Sequence, residues 1–340
     1  MSEQMYGGVD LHSTNGVYSI VRGDGTAVWQ RRLPNCAQRV VASLEPFRRQ
    51  LVCVAIESTY NWYWLADALQ DAGYTVKLAH APAMEQYNGL KKTDDDSDAA
   101  FVAELLRLGI LPTGWICPRE DRRLRDALRR RLLAVRARTK FLLSLQSMVV
   151  REKAHRLRCA ELRTLPPDGL DGLLKDDTLS AVAHSQLELI HAHDAAIGSL
   201  EELASEQCRR RPACRLLVTV PGIGKILSMT IMLEIGDIRR FPGPGNLSSI
   251  CRAVPAVRTS NRKGKGRNNS RNGNVYLAWA FIEVANHAIR CCEPARRWYQ
   301  RKTAKTLPVV ARKALASKLS KAVWYMLTEE KPFDIKKVFG

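Results

Sequence analysis

Leu51-Val52-Cys53-Val54-Ala55-Ile56-Glu57 is a continuous apolar run closed by an acid. Six apolar residues without alternation suit a strand covered on both faces, as parallel strands under helices are. An acid at the end of such a strand projects from the rim of the sheet, where ligands bind in α/β folds. Tyr6-Gly7-Gly8-Val9-Asp10 is a shorter strand that also ends in an acid. Between the two, residues 17–22 and 27–32 read as strands flanking the turn signal Gly23-Asp24-Gly25, and residues 40–50 have helical spacing. Downstream, 61–72 is a helix stopped by Gly73, 75–80 a strand, and 97–108 a helix stopped by Gly109. The order βββαβαβα predicts a mixed sheet with helices on its faces.

The rest of the chain is different. In residues 121–157, Leu124, Leu128, Leu132, Val135, Leu142, Leu145 and Val149 mark one narrow apolar stripe on a long helix with Arg-rich flanks. Leu165-Pro166-Pro167-Asp168-Gly169 is a break, and 178–207 is a second long helix. Such a pair predicts an antiparallel hairpin, an intermolecular coiled coil or two core-packing helices. From about Arg209 the chain is basic. It carries Val220-Pro221-Gly222-Ile223-Gly224-Lys225, a helix at 226–234, a Gly-, Asn- and Lys/Arg-rich loop at 258–274, and two closing helices at 275–292 and 307–327.

Charge sharpens the division. The 340 residues hold 53 Lys+Arg against 34 Asp+Glu, a net of +19. Residues 1–118 hold 10 basic and 13 acidic side chains, so residues 119–340 hold 43 and 21, a net of +22. An excess of that size points to a polyanion, nucleic acid before an anionic membrane surface. No run of about 18 apolar residues predicts a membrane span. Met1-Ser2-Glu3-Gln4-Met5-Tyr6 does not read as a signal peptide, and the nine scattered cysteines without a C-x-x-C pair read as reduced cytoplasmic thiols. With 46% hydrophobic residues the chain is not disordered.

Three segments carry candidate chemistry in the first part. Asp10 and Glu57 end apolar strands, and Thr93-Asp94-Asp95-Asp96-Ser97-Asp98 leads into a helix with Asp95 and Asp98 three apart, on one face. Gathered carboxylates repel unless a cation neutralises them, and hard oxygen ligands suit Mg²⁺ or Mn²⁺. Two such ions can clamp the attacking and leaving oxygens of a phosphodiester. A solvated helix start would explain 94–98 alone, but not two buried-type strands that also end in acids.

In the basic part, the glycines of Val220–Lys225 resemble the hairpin of a helix-hairpin-helix element. There Gly222 and Gly224 would admit a phosphate and Lys225 would open a helix that favours it. A plain Gly-rich turn is an equal reading of the motif alone. The loop holds Arg258, Arg262, Lys263, Lys265, Arg267 and Arg271 with no acid, so its affinity for a polyanion would fall steeply with salt. Its Ser260 is a weak nucleophile by itself, and spacing does not separate it from Ser270, Ser248 or Ser249.

Gly8-Val9-Asp10, Ala55-Ile56-Glu57-Ser58-Thr59, 92–99, 220–224 and 255–260, in that order and spanning nearly the whole chain, resemble the DEDD transposases of the insertion sequence one-ten family, related to the Piv/MooV invertases. The resemblance implies a RuvC-like, RNase H-fold catalytic domain at 1–118, a helical coiled-coil region at 119–208 and a mainly helical C-terminal transposase domain at 209–340. It implies a metal site of Asp10, Glu57, Asp95 and Asp98. It picks Ser260, a few residues after Pro255, as a nucleophile that forms a 5′-phosphoserine link to DNA. An extra acid, Asp94, departs from the family pattern, and the D-x-x-D spacing favours Asp95. The implied partners are donor and target DNA, a structured bridge RNA and further subunits of a homo-oligomer, in the cytoplasm of a prokaryote at its nucleoid. The rivals are a junction-resolving nuclease that uses water, an actin-like ATPase or sugar kinase, and a noncatalytic DNA-binding protein.

Overall fold

Met5–Leu11 (β1), Asn15–Arg22 (β2) and Ala27–Pro34 (β3) form an antiparallel meander in the computed structural model, which describes residues 4–90, 97–166, 168–171, 174, 176–254, 257–260, 263–267 and 273–340. Ala37–Leu44 (α1) crosses to Leu51–Glu57 (β4), which pairs parallel to β1. Tyr63–Asp71 (α2) leads to Val76–Ala79 (β5), again parallel. Ala81–Met84 (α3), Ser97–Arg107 (α4) and Thr113–Gly114 (β6) complete a six-stranded sheet of order β3-β2-β1-β4-β5-β6. This mixed sheet is consistent with the RuvC-like arrangement that the resemblance implies.

The apolar run at 51–56 is covered on both sides, as its pattern requires. Val54 and Ile56 pack with Val9, Leu11, Val40, Leu65 and Leu69, under α1 and α2. Cys53 and Ala55 face the other way, onto Phe101, Val102 and Leu105 of α4. Gly8 makes that second layer close. A Cβ there would overlap the Ala99 carbonyl oxygen and stand 2.5 Å from the Ala103 amide nitrogen. Only glycine lets α4 lie directly on β1.

Contacts divide the chain into two units, Met1–Arg119 and Glu120–Gly340. The second begins with Arg119–Lys153 (α5), followed by Cys159–Thr164 (α6) and Asp177–Cys208 (α7). The long helices run antiparallel. Arg131 meets Glu201, Arg138 meets Asp194, and Leu142, Leu145 and Val149 pack on Leu187 and Ile190. Leu124 and Leu128 of α5 and Ala204 and Cys208 of α7 join the core of the following helices. Those are Pro212–Leu217 (α8), Lys225–Ile235 (α9) and Pro244–Ile250 (α10), then a hairpin of Val257–Ser260 (β7) and Lys263–Arg267 (β8), then Val275–Cys291 (α11), Glu293–Thr303 (α12), Pro308–Glu329 (α13) and Ile335–Phe339 (α14).

Three expectations change. The basic segment expected as a loop contains a two-stranded hairpin. Its second strand, Lys-Gly-Lys-Gly-Arg, has no apolar side to signal a strand. The chain closes with four helices rather than two. Helix α12 buries little besides Ala295 and carries Pro294 in its first turn, and five-residue α14 is set by the Asp334 cap, so neither shows a long apolar period. The break between the long helices includes α6. No helix among the described residues is long and apolar enough to cross a membrane. All nine cysteines are free, and burial pushes the Cys214 thiol up to about 11, so it stays protonated and packs as an apolar group.

Candidate functional site

Strand register brings the first two acids together. The parallel ladder of β1 and β4 ends at Val9↔Ile56, and Asp10 and Glu57 are the next residues on each strand. Alternation then fixes the face. Gly8 lies under α4, so Asp10, two residues on, points to the same side; Ala55 packs there too, and Glu57 follows it. Asp98 sits in the first turn of α4, beside the Ala99 that Gly8 accommodates. Glu57 and Asp98 line one cavity of about 100 Å³, together with Glu85, Ala81 and Met84.

Asp10 is buried, and its Oδ2 lies 3.2 Å from Nε2 of the half-exposed His12. Asn61 ties the neighbouring backbone down, donating from Nδ2 to the His12 carbonyl at 2.8 Å. Burial lowers the pKa of His80, which leads into α3, so its imidazole is neutral at pH 7. Asp95, with Asp94 and Asp96, lies outside the described residues. Among the described residues no group of three or more His, Cys, Asp or Glu is drawn together closely enough to hold a metal. The structure thus joins Glu57 and Asp98 at one cavity and puts Asp10 on the adjacent strand and the same face. The donor set is all oxygen, which suits a hard divalent cation. Sequence reasoning missed Glu85 and His12. Glu85 had no pattern to announce it, whereas His12 stands two residues after a singled-out acid.

Ser260 is the last residue of β7, paired in register with Lys263 of β8; Arg258 is on β7, and Lys265 and Arg267 on β8. Arg262 and Arg271 lie outside the described residues. The two roots of this excursion are clasped. The Asn274 amide donates to the Ile250 carbonyl at 2.7 Å, and Arg252 Nη2 to the Gly273 carbonyl at 3.3 Å. Asn274 also caps α11 and donates from Nδ2 to Glu234 Oε2 at 2.7 Å. Glu234, fully buried in α9, accepts two bonds from Arg129 of α5, at 2.6 and 2.8 Å. The guanidinium of Arg129 lies 4.5 Å from the Tyr276 ring. A buried Glu–Arg–Asn network thereby fixes the stem of the serine-bearing hairpin to the long helix. The sequence signal for it was a single acid in the otherwise uncharged helix 226–234.

Gly222 and Gly224 differ. At φ +92°, Gly222 presses on α11: a Cβ would come within 2.5 Å of the Val284 carbonyl oxygen and 2.7 Å of the Ala288 amide nitrogen. Packing against α11 is thus enough to require glycine there. Gly224 has open space around it and caps α9, which begins at Lys225.

The mixed sheet, with acids at the ends of two adjacent strands, makes the first unit an α/β domain, followed by a helical, basic second unit. Residues 7–152 match the family model for the DEDD transposase of IS110 elements, described as Transposase. Residues 214–300 match the model described as Transposase IS116/IS110/IS902 family. Both segments thus match models of IS110-family transposases. It is similar to the transposase for insertion sequence element IS1111A of Coxiella burnetii, 25% identical over 147 residues, 41% of this chain and 40% of that one. It is also similar to an uncharacterized 44.8 kDa protein of insertion element IS116 from Streptomyces clavuligerus, 26% identical over 45% of this chain and 37% of that one. With the mini-circle putative transposase for IS117 of Streptomyces coelicolor it shares 32% identity over 31% of this chain and 27% of that one. The matches span two fifths or less of the length of these relatives.

Proposed function

We propose that this chain is a DNA transposase that excises and inserts an element through a covalent serine intermediate. In this reading Asp10, Glu57, Asp95 and Asp98 hold Mg²⁺ or Mn²⁺, and Ser260 is the nucleophile. The serine Oγ attacks a backbone phosphorus, the phosphorus–O3′ bond breaks, and the serine proton ends on the freed 3′-hydroxyl. Rejoining reverses this: a 3′-hydroxyl attacks the phosphoserine, and Oγ leaves with a proton. Bond energy is kept in the ester, so no ATP is needed. A divalent cation held there would stabilise charge on the phosphoryl oxygens and help ionise the attacking hydroxyl.

The chain's own residues have separate tasks. The carboxylates hold and orient. The cations of the hairpin, Arg258, Arg262, Lys263, Lys265, Arg267 and Arg271, attract and position the backbone without reading sequence. Gly224 and Lys225, at the start of α9, would offer amides and a charge to a phosphate, with Gly222 shaping the turn as in a helix-hairpin-helix. Sequence choice would fall to a structured bridge RNA pairing with donor and target DNA, held by shape and charge. The functional division is then a catalytic part at 1–118, a helical part at 119–208, engaged as a coiled coil in a homo-oligomer, and a basic part at 209–340.

The observation that carries this reading is the shared register position and face of Asp10 and Glu57, beside the helix start that bears Asp98. The test is an adduct assay with labelled DNA, the RNA transcribed beside the gene, and Mg²⁺. Wild type forms a denaturant-resistant protein–DNA adduct. Ser260→Ala and Asp10→Asn each bind nucleic acid and form none. Metal-dependent cutting by Ser260→Ala without an adduct would replace this mechanism by a nuclease that uses water.

A further inference from the structure

Helix α13 and the residues that follow it, 331–338, enclose an open groove of about 840 Å³. Its wall is apolar, with Met326, Phe333 and Ile335, and Tyr325 stands half-exposed in it, ring edge against Trp324. Five lysines surround that wall: Lys318, Lys321, Lys331, Lys336 and Lys337. The two carboxylates in the lining are already engaged. Glu329 pairs with Lys331 at 3.4 Å, and Asp334 accepts the backbone amides of Lys336 and Lys337 at 2.9 and 3.1 Å. Lys318 sits 5.9 Å from the rings of Trp298 and Phe339, which keep its charge beside the groove.

A cationic rim alone suits any polyanion. A cationic rim around an apolar, aromatic trough is more selective, because it needs a partner that presents phosphates and flat apolar faces together. Duplex DNA hides its base faces in the stack; an unpaired strand exposes them. Strand exchange under the proposed function supplies unpaired DNA, which makes DNA the occupant.

We propose that this groove holds an unpaired strand of DNA, with Tyr325 as the stacking platform and Lys321, Lys336 and Lys337 along the phosphates. The proposal rests on the strand-exchange reading above, in which cut and displaced strands must be kept from re-pairing. It adds a second nucleic-acid surface, separate in sequence from the hairpin.

The experiment uses the full chain with Lys263, Lys265 and Arg267 changed to Gln, so that the hairpin contributes less, and a fluorescent twelve-nucleotide oligo(dT). Tyr325→Ala weakens strand binding by about 5- to 150-fold, the range for one lost base stack, while Tyr325→Phe retains it. Changing Lys321, Lys336 and Lys337 to Gln lowers the salt slope by about 0.7 per lost contact. Light-induced crosslinking of iododeoxyuridine in the strand marks the peptide bearing Tyr325. Tyr325 is half-exposed, so its removal leaves the core intact, and circular dichroism checks this. Unchanged affinity in Tyr325→Ala, an equal loss for duplex DNA, or tighter binding of oligo(rU) than oligo(dT) would each overturn the proposal. The adduct assay separates the two readings. A Ser260 adduct with unchanged Tyr325→Ala affinity removes the groove alone, and Tyr325-dependent strand binding with no adduct removes the serine mechanism alone.

Discussion

Glu234 shows how much one residue decides. A carboxylate with almost no exposure survives in α9 because Arg129 and Asn274 satisfy both its oxygens. Taking away one partner leaves the others stranded. Glu234→Leu therefore costs about 3 kcal/mol by the usual penalty for breaking a buried pair, read as a lower urea midpoint. Glu234→Gln keeps the shape and the bond to one partner and costs less. An unchanged midpoint in Glu234→Leu would mean that the network is dispensable. The acids at Asp10 and Glu57 were legible in the sequence because each ends a run of apolar residues, and a strand pattern dictates where its last residue goes. Glu234 was not read, since a lone acid in a short apolar helix has no partner visible in sequence. Its Arg129 lies more than a hundred positions upstream.

Among elements, those with a strong period were legible and those defined by their ends or by charge were not. The strands β1, β2, β4 and β5 and helices α5, α7 and α11 follow from apolar spacing. The hairpin β7–β8 has none, and its chemistry lies in charge. Replacing Arg262, Lys263, Lys265 and Arg267 together by Gln should lower the slope of log affinity against log salt by about 0.9 per lost duplex phosphate contact. An unchanged slope would remove the hairpin from the backbone interface. The helical pair makes a different kind of prediction. Burial raises the pKa of Asp194, but Arg163 and Arg138 outweigh it and hold the carboxyl below the usual range. A lowered folded pKa contributes stability above the unfolded value, near 3.9, and that contribution fades as pH falls through the folded value. Asp194→Asn should thus be less stable than wild type by about 1–2 kcal/mol at pH 7, with the gap narrowing below about pH 4. A gap that is constant with pH would show that the charge plays no part.

At the scale of the whole chain, the sequence divides its tasks by charge. The acids stand in a first part with more acidic than basic side chains, and Ser260 stands among cations in a second part with a net charge of +22. Under the proposed mechanism the carboxylates would hold divalent cations and the hydroxyl would meet phosphates drawn to the cations around it, so each part would suit its own step. Neither cuts DNA alone under the proposed mechanism. If a homo-oligomer supplies the acids from one subunit and the serine from another, defects in the two parts complement each other. Asp10→Asn and Ser260→Ala, each inactive by itself, should then form an adduct when co-expressed, and mass spectrometry should find the DNA only on the Asp10→Asn chain, which retains its serine. With random assortment into dimers, about half are mixed, and each mixed dimer keeps one intact pairing of acids and serine. The expected adduct yield is about a quarter of wild type, by counting of subunits that obey the linkage of assembly to activity. No adduct from the mixture, with both chains shown to co-assemble, would place acids and serine of each reaction in the same subunit.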